Sequence, residues 1–233
     1  MVDEARVSRR ERPAKPALTR AGIVATAVRV LRSEGLDAVT MRRLAQELDT
    51  GAASLYVYLR SSAELHAAVL DELLGTVEVH PTDVPVAADG WRDQLVRVLD
   101  SYTEVLFAHP GLAQSALVSR PSGPHYLDLV EALLVLLAAG GVPDDQAAWG
   151  VDLLLQTATA TAAEHSVRER ALDAGDEEAA LAAALRDVSP ASHPRLAALA
   201  GELRSGEGRD RLAWGFHALI DGILRTPRPR RDG

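Results

Sequence analysis

Residues 40–60 read Thr-Met-Arg-Arg-Leu-Ala-Gln-Glu-Leu-Asp-Thr-Gly-Ala-Ala-Ser-Leu-Tyr-Val-Tyr-Leu-Arg. The stretch predicts two short helices joined by a tight turn. Thr40 is placed to N-cap the first, its hydroxyl accepting a free backbone N–H at the start of Met41–Leu48. Leu44 and Leu48 share one helical face, with the small Ala45 beside them where another helix can approach. Asp49-Thr50-Gly51 interrupts the pattern, because Asp and Gly tolerate turn backbone. A second helix over about Ala52–Tyr58 buries Leu55 and leaves Ser54, Tyr56 and Tyr58 open to a partner. Two helices with a short turn containing Gly form the helix-turn-helix unit, whose second helix enters the major groove of DNA.

Ile23, Ala27, Val30 and Leu31 recur at helical spacing over Thr19–Glu34, and Gly35 is the stop. Ser61 with Glu64 three residues later reads as a capping box opening a helix to about Gly75. The stretch 76–90, rich in Pro, Val and Asp, reads as a connector. Further helices are predicted at about Trp91–Ala108, Leu112–Val118, Pro124–Ala139, Asp144–Arg170, Asp176–Arg186 and Arg209–Arg225, with Gly, Pro and Ser breakers between them. Strand-like alternation is missing, so the fold class is all-α. The expected organisation is a basic flexible arm (1–17), a three-helix DNA-binding head (18–77) and a helical body (78–233).

Charge is distributed unevenly within the total of −8. Residues 1–60 carry 11 Lys and Arg against 7 Asp and Glu, whereas residues 61–233 carry 14 against 26. A basic reader on an acidic body is the implied arrangement. Arg6, Arg9, Arg10, Arg12 and Lys15, with Pro13 and Pro16, make the first residues either a solvated tail or an arm lying along phosphates or reaching the minor groove. With no Cys there are no disulfides or thiolate metal sites, and the longest apolar run, Ala132–Ala139, is far short of the roughly 20 residues that span a bilayer. The N-terminus does not read as a signal peptide, so a soluble cytoplasmic protein is expected.

The run Leu18–Leu74 resembles the head of the TetR family of one-component bacterial transcription regulators. The resemblance rests on Gly35, Val39-Thr40-Met41-Arg42, Leu44-Ala45, Ser54-Leu55-Tyr56 and Leu65. Two departures stand out: Asp49 where the family usually has Gly, and Ser62 where it usually has a Lys on a phosphate. The resemblance implies a dimer on a palindromic operator, with two recognition helices roughly 34–36 Å apart. It assigns Thr40, Tyr56 and Arg60 to phosphates, and Arg42, with Arg43 beside it, to a phosphate or a guanine edge. Gly51, Ala52, Ala53, Ser54 and Tyr58 form the groove-facing surface.

In the body, Leu117-Val118-Ser119-Arg120-Pro121 with His125-Tyr126, the Gly140-Gly141 turn and Glu164 in the long helix resemble the tetracycline-repressor subgroup. That subgroup implies a small-molecule inducer bound in the body and a four-helix dimer bundle made by helices 144–170 and 209–225. Its metal-chelating His falls at Ala116 here, so Mg-tetracycline is not the expected ligand, and neither a metal nor a cofactor is expected. Thr157, Thr161 and Glu164 form one polar stripe, with Gln156, Thr159 and His165 on neighbouring faces, as candidate ligand contacts. The alternative for each Thr is a bond back to a carbonyl one turn earlier. Tyr102, Phe107 and Trp149 are candidates for lining a cavity or for core, and Arg120 for an anionic ligand or a structural acid. Leu212, Phe216, Leu219, Ile220 and Ile223 make an apolar stripe that fits either a dimer surface or the chain's own core.

Two other functions remain open at this level. One is a DNA-binding regulator controlled by a protein partner without a small-molecule inducer. The other is an all-helical enzyme using Glu164, His165 and Arg120. Adjacent Glu and His on a helix point about 100° apart, and no Gly-rich phosphate loop, His-Glu-x-x-His pair or Gly-x-Ser-x-Gly elbow occurs, so the protein is not expected to be an enzyme.

Overall fold

The computed structural model describes residues 17–79, 90–170 and 174–229. The basic N-terminal arm, most of the connector and the chain end lie outside the described residues. Among the described residues there are eleven α-helices and no strand: α1 Arg20–Glu34, α2 Met41–Glu47, α3 Ala52–Tyr56, α4 Ser62–Leu74, α5 Trp91–Ala108, α6 Pro110–Val118, α7 Pro124–Ala139, α8 Asp144–Arg170, α9 Ala174–Arg186, α10 Pro194–Leu199 and α11 Gly208–Arg225. The fold is all-α, as the periodicity predicts. None of these helices is long and apolar enough to cross a membrane.

Local signals set most of the boundaries. The Thr19 hydroxyl accepts from Gly22 N at 3.0 Å at the start of α1, and Gly35 stops that helix with a φ of 85°, where a Cβ would be strained. Ser61 accepts from Glu64 N at 3.1 Å, while the Glu64 carboxylate takes the backbone N–H of Arg60 at 2.8 Å. The reciprocal bond of the capping box therefore lands one residue earlier than the sequence suggests. Two prolines mislead the reading. Pro110 and Pro194 open α6 and α10 at a position where a missing N–H costs nothing, so α6 starts two residues before Leu112, and α10 occupies a stretch predicted to hold no helix.

Two apolar cores form and share two helices, α4 and α6, the latter giving Leu112 to the head core and Ala113 and Ala116 to the body core. The head core gathers Ile23, Ala27 and Leu31 of α1, Leu44 of α2, Leu55 and Leu59 around α3, and Leu65, Val69 and Leu73 of α4. The body core gathers Leu95, Leu99 and Leu106 of α5, Leu129, Leu133 and Leu137 of α7, Val151, Leu154 and Ala158 of α8, and Phe216, Ile220 and Ile223 of α11. On α4, Leu70 and Leu74 turn to the body while Leu65, Val69 and Leu73 turn to the head. Each fully buried Leu contributes roughly 1.5–3 kcal/mol, so this helix is held firmly from both sides.

The apolar stripe of α11 belongs to the chain's own core: Phe216 and Ile220 are fully buried and pack with α8 and α5. The opposite face of α11 leaves Trp214 73% exposed, and α8 leaves Trp149 53% exposed with Leu153 and Val167 on the same side.

Candidate nucleic-acid interface and ligand cavity

In the head, Thr40 accepts from Arg43 N at 3.1 Å and so caps α2. The turn that follows places Asp49 at φ 49°, the left-handed conformation that usually falls to Gly, while Gly51 is extended and serves as N-cap of α3. Leu55 and Leu59 lock α3 to the head core, which orients the rest of it outward. Gly51, Ala53, Ser54, Tyr56 and Arg60 are exposed, and Ala52 is half-buried against the core. Helix α3 stops at Tyr56, two residues short of the predicted end, as the chain tightens through a Tyr58 N to Leu55 O bond of 2.9 Å. The Tyr58 hydroxyl donates to Leu18 O at 2.8 Å, tying the start of the head to the end of the recognition helix. Val57, absent from the predicted contact set, is 80% exposed beside Tyr56. Its signal was legible, because it falls out of phase with Leu55 and Leu59.

The two adjacent arginines differ. Arg43 donates to Glu34 on α1 and to Glu47 on α2, each at 2.7 Å, and bridges the two helices. These carboxylates hold its pKa above the ordinary arginine value, chiefly through the hydrogen bond to Glu34, and the same pairing lowers that of Glu47. Arg42 is exposed and makes no ion pair among the described residues, so its planar fork is available to an external acceptor.

In the body, α5, α6, α7 and α8 form a small, partly open cavity of about 80 Å³. Tyr102, Arg120, Gln156 and Thr159 from the predicted residues line it, joined by Tyr126 and Leu155. Ala116, at the position of the metal-chelating His in the family resemblance, also lines it. The Tyr102 hydroxyl and Thr159 Oγ1 lie 2.8 Å apart, and Thr159 donates to Leu155 O at 2.7 Å. A threonine hydroxyl has one proton, so Tyr102 is the donor of this pair. Burial pushes the Tyr102 phenol up to about 12, which keeps it a neutral donor near neutral pH. At the rim, Arg120 on the loop after α6 pairs with Asp152 of α8, and this bond raises the Arg120 pKa. Burial likewise raises that of Tyr126.

Other predicted ligand contacts lie elsewhere. Thr157 donates to Leu153 O at 2.8 Å, the bond one turn back. Glu164 pairs with Arg168 at 2.7 Å, and His165 meets Glu169 at 3.1 Å and the edge of Phe107 at a centroid distance of 5.0 Å. Thr161 is half-buried and does not line the cavity. Glu164, His165 and Arg120 are thus each paired separately. Trp149 lines an open groove of about 600 Å³ between α8 and α11, floored by Gly150, Ala218 and Gly222, with the Arg228 guanidinium 4.2 Å above its ring centre. Gln156 borders both the groove and the small cavity.

Residues 84–226 match the family model described as tetracyclin repressor-like, C-terminal domain, and residues 23–69 match that of bacterial regulatory proteins, tetR family. The HTH-type transcriptional repressor DrrR1 of Streptomyces coeruleorubidus is 36% identical over 139 residues, 59% of this chain and 50% of that protein. The chain thus spans about half the length of the curated relatives that match it first. Among solved structures, the Streptomyces protein SCO7704 is 56% identical with a TM-score of 0.75, covering 93% of this chain and 99% of that one. ActR of Streptomyces coelicolor, in complex with actinorhodin, is 38% identical with a TM-score of 0.77, over 90% and 96% of the two chains. With a helix-turn-helix head on a helical body, and with a family model matched over most of its length, the chain belongs to the TetR family of bacterial regulatory proteins.

Proposed function

We propose that this protein is a cytoplasmic, homodimeric transcriptional repressor that holds a palindromic operator with residues 18–77 and releases it when a small molecule binds the body, residues 78–233. The observation that carries the reading is a helix-turn-helix with an open recognition face, joined through the shared helix α4 to a body holding a partly open cavity. Thr40, Arg42, Gly51, Ala52, Ala53, Ser54, Tyr56, Tyr58 and Arg60 form the proposed DNA surface, with Val57 added for contact with thymine methyl groups. Arg43 acts by fixing α1 against α2.

The inducer enters at Tyr102, Arg120, Tyr126, Gln156 and Thr159. Small-molecule sites span roughly 300–1,000 Å³, so the present 80 Å³ must widen. Widening separates α6 from α8 and opens the Arg120–Asp152 pair. ActR, similar over nearly its whole length, is solved with actinorhodin, which supports a natural product of comparable size over Mg-tetracycline.

Titration of the purified protein onto its own upstream intergenic DNA tests the reading. Tight binding that survives competitor DNA, with two subunits per site, is the expected result. Weak, sequence-blind and steeply salt-dependent binding argues against a specific operator there. Within the same assay, Arg42→Ala is expected to weaken binding about tenfold with an unchanged melting temperature, the loss of one good charged contact. Tyr56→Phe is expected to cost several-fold. Arg43→Ala is expected to weaken binding less than Arg42→Ala and to lower the melting temperature of the head slightly, because exposed ion pairs contribute little.

A further inference from the structure

We propose that Asp71 is the positioning residue through which the cavity acts on the head, by holding the first turn of α7 onto α4. The proposal deepens the ligand-responsive reading and rests on it. Helix α7 opens at Gly123 with no side-chain cap of its own, and Pro124 carries no N–H. The first backbone donors of a helix need partners from outside the helix. Here the partner comes from a residue 55 positions earlier: Asp71 Oδ1 accepts from Tyr126 N at 2.9 Å. Asp71 is only 8% exposed, and a buried carboxylate is stable where such bonds and the positive end of a helix compensate it.

The fit is close on both sides. A Cβ on Gly123 would stand 2.0 Å from Asp71 Oδ2, so the glycine lets the start of α7 settle directly on the carboxylate. Tyr126 therefore belongs to two sites at once: its main chain is bonded to α4, and its side chain lines the cavity beside Arg120. Helix α4 in turn gives Leu65, Val69 and Leu73 to the head core. A ligand that displaces Tyr126 must either carry α4 with it or break this bond. Coupling between two sites requires such a contact with different free energy in the two states.

A cavity-filling substitution serves as the probe, so no ligand need be known. Ala116→Phe places a ring in the cavity, and operator affinity is measured by fluorescence anisotropy in four proteins: wild type, Ala116→Phe, Asp71→Ala and the double variant. Ala116→Phe is expected to weaken operator binding about tenfold in the wild-type background, within the usual range of allosteric coupling, and less than about twofold beside Asp71→Ala. Asp71→Asn keeps an acceptor for Tyr126 N and is expected to keep the response, whereas Asp71→Leu, of similar size but without an acceptor, is expected to lose it; a merely space-filling role predicts a response from both. Gly123→Ala, whose methyl pushes the carboxylate away, attacks the same contact from the other side and replaces Asp71→Ala if that variant does not fold. An equal loss from Ala116→Phe with and without Asp71 overturns the role of Asp71 alone. No effect of Ala116→Phe in the wild-type background overturns cavity-to-head communication, and this proposal with it.

Discussion

Leu153→Arg, and separately Trp214→Arg, is expected to convert the protein to a monomer and to weaken operator binding by about 100-fold or more. Trp214 of α11 is 73% exposed, and the exposed Leu153 of α8 lines a groove together with the small Gly150, Ala218 and Gly222. Large knobs beside a floor of small residues are self-complementary across a two-fold axis, where one subunit's ring fills the other's groove. Each arginine enters such an interface twice and without a partner, which is strongly unfavourable. The DNA effect exceeds the local one because a lone head loses the second half-site, and a linked second contact multiplies affinity by roughly 10²–10⁴. Light scattering on the eluting protein gives the mass, and anisotropy gives the affinity. A monomer that still binds the full operator tightly would refute the dimeric mode, and an unchanged dimer would move the interface off α8 and α11.

Leu55→Ala is expected to destabilise the head by about 2–5 kcal/mol, the usual cost of emptying a fully buried Leu site. Leu55 is wholly buried and holds the five-residue helix α3 to the head core. Helices this short have no stability of their own, so α3 depends on that anchor. The loss is a large part of the 5–15 kcal/mol that stabilises an ordinary domain. Because the two cores meet only where α4 and its neighbours serve both, the damage is expected to stay in the head. Hydrogen exchange would then show faster opening across residues 20–59 with the body amides little changed, and operator binding would fall in parallel. Uniform acceleration through both cores would instead mean that head and body unfold as one unit.

Where the chemistry is local, the sequence carried it. Thr40 caps α2, Gly35 stops α1 and Asp49 takes the left-handed turn, each within a few residues of its partner. The spacing of Leu44, Leu55 and Leu65 likewise placed the head core, because a helix of known period has one apolar face. Arg42 and Arg43 could not be told apart, since Glu34, which engages Arg43, lies nine residues back on another helix.

The body shows the limit more sharply. On α8 the visible polar stripe keeps away from the cavity, Thr157 bonding back along its own helix and Glu164 pairing with Arg168, while Leu155 and Thr159, on another face, line the cavity with Tyr102 and Tyr126. Periodicity states which residues share a face, and only packing decides which face turns inward. The apolar stripe of α11 fitted core and interface equally well until Phe216 and Ile220 were seen to pack with α8. Asp71 gave no local sign at all, because its partner is a backbone N–H 55 residues away. Local patterning was thus enough to set most of the helices, though not α10, and with them the reading head and the family. The cavity, the free arginine and the buried link between α4 and α7 were decided by tertiary structure, since each joins groups that only the folded chain brings within bonding distance.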